Sequence, residues 1–327
     1  MRKTLPLWPL LGAVVALACT VSLFGTPTAT AVPTTPVSPS TSAPSAAPPH
    51  TSTPPAAPTS TLTPASAPPA TQPAGSGAVT PGAPSGPYAV ILVSSGDVLN
   101  IRSGAGAGYS IVGSFPPTAT GVMRTGPSAR SGDSLWVEVQ NPSGGRGWVN
   151  SKYLTEQMSS AAFCGDGKVQ TLIDSFDSAI SNSNGDAFSN LVSTTHGLDV
   201  RVWRWGTVAN YNREEARFVF SSTYEVSWGP TGGSGEETIG SFSDVAQPKL
   251  LDVLTASYDR LCNEPLDLAT FSLEPWPKEY KNVNFYDLYR PGSEVYGGMD
   301  WRAWLTGIEY VQGQPYLFAL IHFQWEP

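Results

Sequence analysis

The chain has 327 residues, of which 13% are charged, and its formal net charge at pH 7 is −8. An acidic chain without a basic cluster lacks the positive surface by which proteins bind nucleic acid or an anionic membrane. Nucleic acid is therefore excluded as an expected partner, and contact with a membrane would come only through an uncleaved N-terminal segment.

Residues 1–31 have the pattern of an export signal. A basic start is followed by an apolar run from Leu5 to Phe24 and by small residues up to Ala31. This pattern predicts cleavage after Ala31 and a protein located in the cell envelope or outside the cell. Two alternatives stay open. The apolar run is about as long as a membrane anchor needs, and the residues before Cys19 faintly resemble the lipobox of bacterial lipoproteins.

Residues 32–87 consist almost wholly of Pro, Thr, Ser, Ala and Gly and include no charged residue. This composition buries too little apolar surface to offset the entropy lost on folding, so it predicts a disordered stalk. In polyproline II form, at about 3.1 Å per residue, the stalk would span on the order of 150 Å. Such a length is enough to cross a cell wall.

Residues 88–156 contain short apolar runs separated by turn residues. The runs cover 90–93, 98–102, 111–115, 136–139 and 147–149. β-branched and aromatic residues in runs of this length, bounded by Gly, Pro, Ser and Asn, are typical of strands in a small all-β barrel. The strand pattern is complete within this segment, which is therefore expected to fold by itself.

Four pieces of this segment follow one another in a known order: LNIRSGAGAGYS from Leu99, IVGSF from Ile111, LWVEV from Leu135 and GRGWVNSKYL from Gly145. In this order they resemble the bacterial SH3-like domain. The resemblance implies a small β-barrel of secreted and surface proteins, which binds cell-wall peptides or serves as a spacer beside another domain.

Side chains of this segment divide into a predicted core and a predicted ligand groove. Alternation along the runs places the core at Leu99, Ile101, Val137, Val139 and Trp148. The groove candidates are Arg102, Tyr109, Trp136 and Tyr153. Exposed aromatic residues on loops favour recognition, but single aromatic residues are common on any surface, and Trp136 could equally belong to the core.

Two cysteines, Cys164 and Cys262, remain if the signal carrying Cys19 is removed. An even number of cysteines in an exported protein predicts a disulfide. The alternative is a free thiol, with Cys164 before Gly165 as the nucleophile of a cell-wall peptidase.

Residues 163–327 are predicted to form an α+β domain with a curved antiparallel sheet. Helical spacing of apolar residues indicates helices over 169–180, over 188–192 and after Pro248, whereas alternation indicates strands at 198–202 and at 218–226. Three strands over 283–290, 301–310 and 316–325 close the chain, the last two joined by a hairpin. This order loosely resembles the cystatin-like roll of the nuclear transport factor 2 superfamily.

The domain contains few candidates for chemistry. His196 is predicted to be a turn residue and His322 a core residue, and no His-Glu-x-x-His or Cys/His cluster predicts a metal site. No nucleotide or other cofactor motif is found. The sequence therefore favours a non-enzymatic binding protein whose barrel takes peptidoglycan or a cell-surface peptide or glycan. The alternative is an envelope hydrolase, which convergence of His196, His322, Asp199 and Glu309 would favour.

Overall fold

The computed structural model describes residues 80–81, 86–264 and 276–325. The predicted signal and nearly all of the predicted stalk lie outside these ranges. Among the described helices, none is both long and apolar enough to cross a lipid bilayer.

The first module is a β-barrel. Within the described residues its strands are β1 (Thr80–Pro81), β2 (Tyr88–Val90), β3 (Leu99–Arg102), β4 (Ile111–Phe115), β5 (Arg124–Ser131), β6 (Ser134–Gln140), β7 (Arg146–Asn150) and β8 (Leu154–Glu156). A short 3-10 turn, Ser151–Tyr153, links β7 to β8. The sheets have the orders β1-β5-β6-β7-β3-β4 and β2-β8, and both contribute to one apolar core.

The barrel core confirms four of the five predicted positions. Leu99, Ile101, Val137 and Val139 are buried, but Trp148 is only half-buried, and Val149 fills the core beside Val137. The prediction for Trp148 was wrong because the register of β7 turns Val149 inward. Trp148 lies on the outer face of the sheet, in a small cluster with Ala105, Ala129 and Trp136.

The second module is an α+β domain. Its helices are α1 (Ser160–Cys164), α2 (Gly167–Ser181), α3 (Gly185–Leu191), α4 (Arg213–Ala216) and α5 (Gln247–Leu254), the last preceded by a π-helical turn at Phe242–Ala246. Its strands are β9 (Leu198–Arg201), β10 (Ala209–Tyr211), β11 (Val226–Pro230), β12 (Glu237–Gly240), β13 (Asp259–Cys262), β14 (Asn284–Arg290), β15 (Arg302–Val311) and β16 (Gln314–Gln324).

Six of these strands form one sheet in the order β10-β9-β16-β15-β14-β13. Every pairing in it is antiparallel except that between β16 and β9. Apolar residues of α2, α3 and α5 pack on one face of the sheet. The opposite face carries a second, aromatic cluster that includes Phe285, Trp301, Phe318 and Phe323.

The helices and C-terminal strands lie close to their predicted positions, but the extended segment predicted at 218–226 begins only at Val226. The chain before it turns instead of extending. The Asn212 side chain accepts from the backbone of Glu214 and Glu215, and the Glu215 side chain accepts from the backbone of Asn212, which is a capping box. This cap starts α4 and leaves Phe218 in the turns that follow.

The last hairpin forms at the predicted place. Gln312 and Gly313 have φ values of 54° and 70°, and two consecutive positive φ values are typical of the tight turn that suits the twist of a two-stranded hairpin. The Glu156 carboxylate accepts the N–H groups of Gln312 and Gly313 at 2.7 and 2.9 Å. A barrel strand therefore contacts the tip of this hairpin.

The barrel and the α+β domain share further contacts. Ile91 is fully buried in the aromatic cluster of the α+β domain. The Leu92 N–H donates to the Glu279 carbonyl at 2.9 Å, and the Asn282 side chain donates to the Val90 carbonyl at 2.8 Å. The segment just after β2 thus belongs to both modules, and a barrel separated from the α+β domain would expose Ile91 to water.

The predicted disulfide is confirmed. Cys164 at the end of α1 is bonded to Cys262 at the end of β13, with their Cα atoms 5.8 Å apart. The bond closes a long loop that contains the helices α2 to α5 and the strands β9 to β12. Cys164 is therefore not available as a nucleophile in this structure.

Loss of this disulfide should lower the free energy of unfolding by about 2 to 4 kcal/mol, because the open chain gains entropy in the unfolded state. The change is the double variant Cys164→Ser, Cys262→Ser, and the measurement is urea unfolding of the purified protein. Wild-type protein under a reducing agent should unfold at the same urea concentration as the variant. Equal stability of oxidised and reduced protein would contradict the prediction.

Candidate functional site

A cleft of about 470 Å³ opens on the barrel between the loop after β2, strand β3 and the 3-10 turn before β8. We call it the barrel cleft. Three of the four predicted groove residues line it: Arg102, Trp136 and Tyr153. They come from β3, from β6 and from the turn Ser151–Tyr153, so only the folded barrel brings them together.

Arg102 supplies the positive charge of the barrel cleft. It is half-buried, and its Nη1 donates to the carbonyl of Tyr109 at 2.8 Å. This bond holds the guanidinium in place and leaves its other donors for a ligand. Asp97 also lines the cleft and is exposed, so groups of both charge signs lie on its walls.

Trp136 and Tyr153 supply the aromatic surface of the cleft. Trp136 is only 7% exposed because it packs in the outer cluster with Ala105 and Ala129. It contributes to the cleft only the small part of its side chain that stays accessible. Tyr153 is half-buried against the barrel core. An aromatic ring anchored in this way offers a flat apolar surface without losing further side-chain entropy on binding.

Tyr109 is not among the residues that line the barrel cleft. Its ring lies on the glycine-rich loop, where a Cβ atom added to Gly104 would come within 2.5 Å of the ring. The glycine therefore permits the close packing of the ring on the backbone. Tyr109 contributes to the cleft through its carbonyl, which holds Arg102.

The lining also includes polar residues that the sequence did not predict for the groove, among them Asp97, Asn100 and Asn150. Asn100 alternates with the core residues Leu99 and Ile101 and so shares the outward face with Arg102. Asn150 lies opposite Trp136 in the pairing of β6 and β7. Alternation along β3 was a signal that could have identified Asn100 beside Arg102.

A second polar cluster lies between the barrel and the α+β domain. Glu309 of β15 is 3% exposed, and its carboxylate accepts hydrogen bonds from Ser193 Oγ and, at 3.2 Å, from Thr155 Oγ1 of the barrel. Nδ1 of His196 lies 2.7 and 2.8 Å from its two oxygens. Nε2 of His196 faces the Lys152 carbonyl at 3.0 Å.

This cluster, which we call the Glu309 network, has the geometry of a structural contact. In a Ser-His-acid triad the histidine Nε2 faces the serine hydroxyl, whereas here the Ser193 hydroxyl is bonded to the carboxylate and Nε2 faces a carbonyl. Both ring nitrogens thus face acceptors within the protein. His196 lies in a turn as predicted, and its side chain is buried.

The other two residues proposed for a hydrolase are not hydrogen-bonded to Glu309 or to the His196 ring in the described part of the chain, although the Asn210 amide donates both to Asp199 and to the His196 carbonyl. His322 is buried next to Trp304, its Nδ1 donates to the Val202 carbonyl at 3.1 Å, and burial lowers its pKa well below the usual value. Asp199 accepts from Tyr280 and from Asn210. The structure therefore brings together two of the four residues, His196 and Glu309.

Among the described residues, no group of three or more His, Cys, Asp or Glu side chains is arranged to hold a metal ion.

The antiparallel strand order, the single apolar core and the outer cleft define a small barrel of the SH3 type. A family model described as bacterial SH3 domain matches residues 97–155, and the chain therefore contains a bacterial SH3 domain at that place. No curated protein and no solved structure matches the chain. The family match ends at residue 155, and the resemblance of the α+β domain to the cystatin-like roll rests on element order alone.

Proposed function

We propose that the protein is exported to the cell envelope, where its SH3 barrel binds a cell-wall peptide in the barrel cleft. The observation that carries the proposal is the meeting of Arg102, Trp136 and Tyr153 in one cleft of a bacterial SH3 domain. Domains of this family commonly bind peptidoglycan, and the α+β domain would act as a non-catalytic accessory.

The chemistry of the cleft suits a short peptide better than a bare glycan. Arg102 can bind a carboxylate and Asp97 an ammonium group, whereas Trp136 and Tyr153 offer apolar contact to the side chains between them. A wall peptide presents both kinds of charged group along a short backbone. A neutral glycan would bring no opposite charge to Arg102 or to Asp97.

The export signal and the stalk support the location. A basic, apolar and small-residue start predicts export, and if this start stays uncleaved as an anchor, the uncharged Pro-rich segment after it would hold the barrel at a distance from the membrane. The disulfide agrees with an oxidising environment, because such bonds persist outside the cytoplasm.

Replacement of Tyr153 by Ala should weaken binding to purified peptidoglycan sacculi by about 1 to 3 kcal/mol, the cost typical of removing an aromatic anchor. Arg102→Gln should weaken it by a similar amount through the loss of a charge-assisted hydrogen bond. The measurement is co-sedimentation of the purified protein with sacculi over a range of protein concentrations. Trp136 is not changed, since its burial would confound folding with binding.

The matched control is Ile111→Ala, because Ile111 is 56% exposed on β4 and is not among the cleft residues. Circular dichroism should show that all three variants are folded. Soluble peptides released from sacculi by an amidase should compete for binding, whereas glycan strands stripped of peptide should not. Unchanged binding by Tyr153→Ala and Arg102→Gln, or competition by the glycan strands alone, would refute the proposal.

A further inference from the structure

A larger cleft, of about 680 Å³, lies on the α+β domain between strand β10, the turns after α4, and strand β11. We call it the aromatic cleft, and its walls are formed chiefly by Val208, Tyr211, Phe218, Tyr224, Val226 and Phe242. β10 is an edge strand of the six-stranded sheet, so the cleft is open to solvent on that side. None of its lining residues belongs to the barrel cleft.

The floor and the rim of the aromatic cleft differ in exposure. Tyr211 and Phe242 form the floor, with ring centroids 5.7 Å apart in an edge-to-face arrangement. At the rim, Phe218 is 54% exposed, Tyr224 77% and Val208 44%. Several large apolar side chains exposed around one concave surface are typical of a binding site, whereas single exposed ones are common anywhere.

Among the described residues, the lining of the aromatic cleft contains a single charged side chain, Glu215, and no cationic one. Glu215 accepts the backbone N–H of Asn212 at 2.9 Å in the capping box of α4. Burial, together with Glu215, raises the pKa of Tyr211 to about 12, so its hydroxyl remains protonated at neutral pH. An anionic ligand would find no cationic partner among these lining residues and would be repelled by Glu215.

The polar side chains of the aromatic cleft are largely bonded within the protein. The Asn210 amide donates to the carbonyl of His196 and to Asp199, and the Ser227 hydroxyl donates to Glu237. A sugar needs several free hydrogen-bonding groups around it, whereas an apolar chain does not. The remaining surface therefore fits a ligand with an apolar body and few polar atoms.

We propose that the aromatic cleft binds the acyl chain of a neutral glycerolipid, with the Tyr211 hydroxyl available to a ligand oxygen. Its volume lies in the range of about 300 to 1,000 Å³ that is usual for small-molecule sites, which are mostly apolar with a few polar groups. The absence of a cation among the lining residues selects a neutral lipid over a fatty acid or a phospholipid headgroup. This site is independent of the barrel cleft.

The test uses Nile red, an uncharged dye that fluoresces in apolar surroundings, with the purified protein. Nile red should bind saturably and be displaced by 1-monolauroylglycerol below its critical micelle concentration. Laurate, which has the same chain but a negative charge, should compete about tenfold less well because it meets Glu215 and no cation. Phe218→Asp should weaken dye binding at least about tenfold, since it places a charge on the apolar rim.

The matched control is Val295→Asp, because Val295 is 83% exposed on a turn outside the aromatic cleft. Dye binding by this variant should equal that of the parent. The proposal is overturned if binding is not saturable, if both Asp variants lose it equally, or if laurate competes as well as the neutral ester. Displacement by a chitin oligosaccharide but not by the monoacylglycerol would also overturn it and would mark a glycan site.

Discussion

Replacement of Asp287 by Asn is expected to stabilise the protein at pH 8, with a gain that shrinks as the pH falls toward 4. Asp287 lies in the middle of β14, between Leu261 of β13 and Leu305 of β15. It is fully buried, and neither carboxylate oxygen has a hydrogen-bond partner in the described part of the chain. Desolvation by burial raises its pKa to about 8.

The direction of the effect follows from the raised pKa. Between about pH 4, where the side chain ionises in the unfolded chain, and pH 8, the folded protein retains a proton that the unfolded chain has lost. Stability of the parent therefore falls by about 1.4 kcal/mol per pH unit across this window on account of Asp287. At pH 8 the total is on the order of 5 kcal/mol as an upper figure.

Asn has nearly the same shape and cannot ionise, so the difference between variant and parent isolates this group. Urea unfolding of both proteins at pH 5, 6, 7 and 8 should show a gap that widens with pH. Asp199→Asn is the control in the same six-stranded sheet. Asp199 is hydrogen-bonded to Tyr280 and Asn210, so its replacement should not raise the free energy of unfolding at any pH. A gap for Asp287→Asn that does not depend on pH would disprove the assignment.

Replacement of Glu309 by Ala should lower the free energy of unfolding by about 3 to 5 kcal/mol, the range for removing one partner of a buried charged contact. Thr155, Ser193 and His196 would each lose the acceptor that they share in the Glu309 network. Thr155 belongs to the barrel and the other two to the α+β domain, so the variant should also loosen the contact between the modules. Amide hydrogen exchange at 151–156 and 193–197 should then become faster.

Glu225→Ala is the matched control for this prediction, because Glu225 is exposed and its loss should change stability by no more than about 0.5 kcal/mol. Urea unfolding compares both variants with the parent. If Glu309→Ala cost less than about 1 kcal/mol, the network would not hold the modules together, and a role for His196 and Glu309 in chemistry would deserve a new test.

Several features of the fold could be predicted because they depend on neighbouring residues. The hairpin of β15 and β16 follows from Gln312 and Gly313, and α2 follows from the helical spacing of its apolar residues. The extended segment predicted at 218–226 was wrong except at its last residue, where β11 begins, although the Asn212 and Glu215 pair is a local signal for a helical start. The prediction of a strand there used only the alternation of apolar residues and missed this capping signal.

The candidate site was predicted in part. Arg102, Trp136 and Tyr153 meet in the barrel cleft, but Tyr109 packs on the glycine-rich loop, and Asp97, Asn100 and Asn150 join the lining. The residue types pointed to recognition, but they could not show which side chains face one another across three strands. Strand register decides this, as the exchange of Trp148 for Val149 in the core illustrates.

The sequence by itself determined that the chain contains a bacterial SH3 barrel and that Cys164 pairs with Cys262, because strand period, turn residues and the presence of two cysteines after the N-terminal apolar run are local or countable properties. Only the tertiary structure decided that Glu309 meets His196 and Thr155, residues 113 and 154 positions away, and that Asp287 is buried without a partner. Contacts at such separations depend on how two modules pack, and burial depends on every neighbour at once.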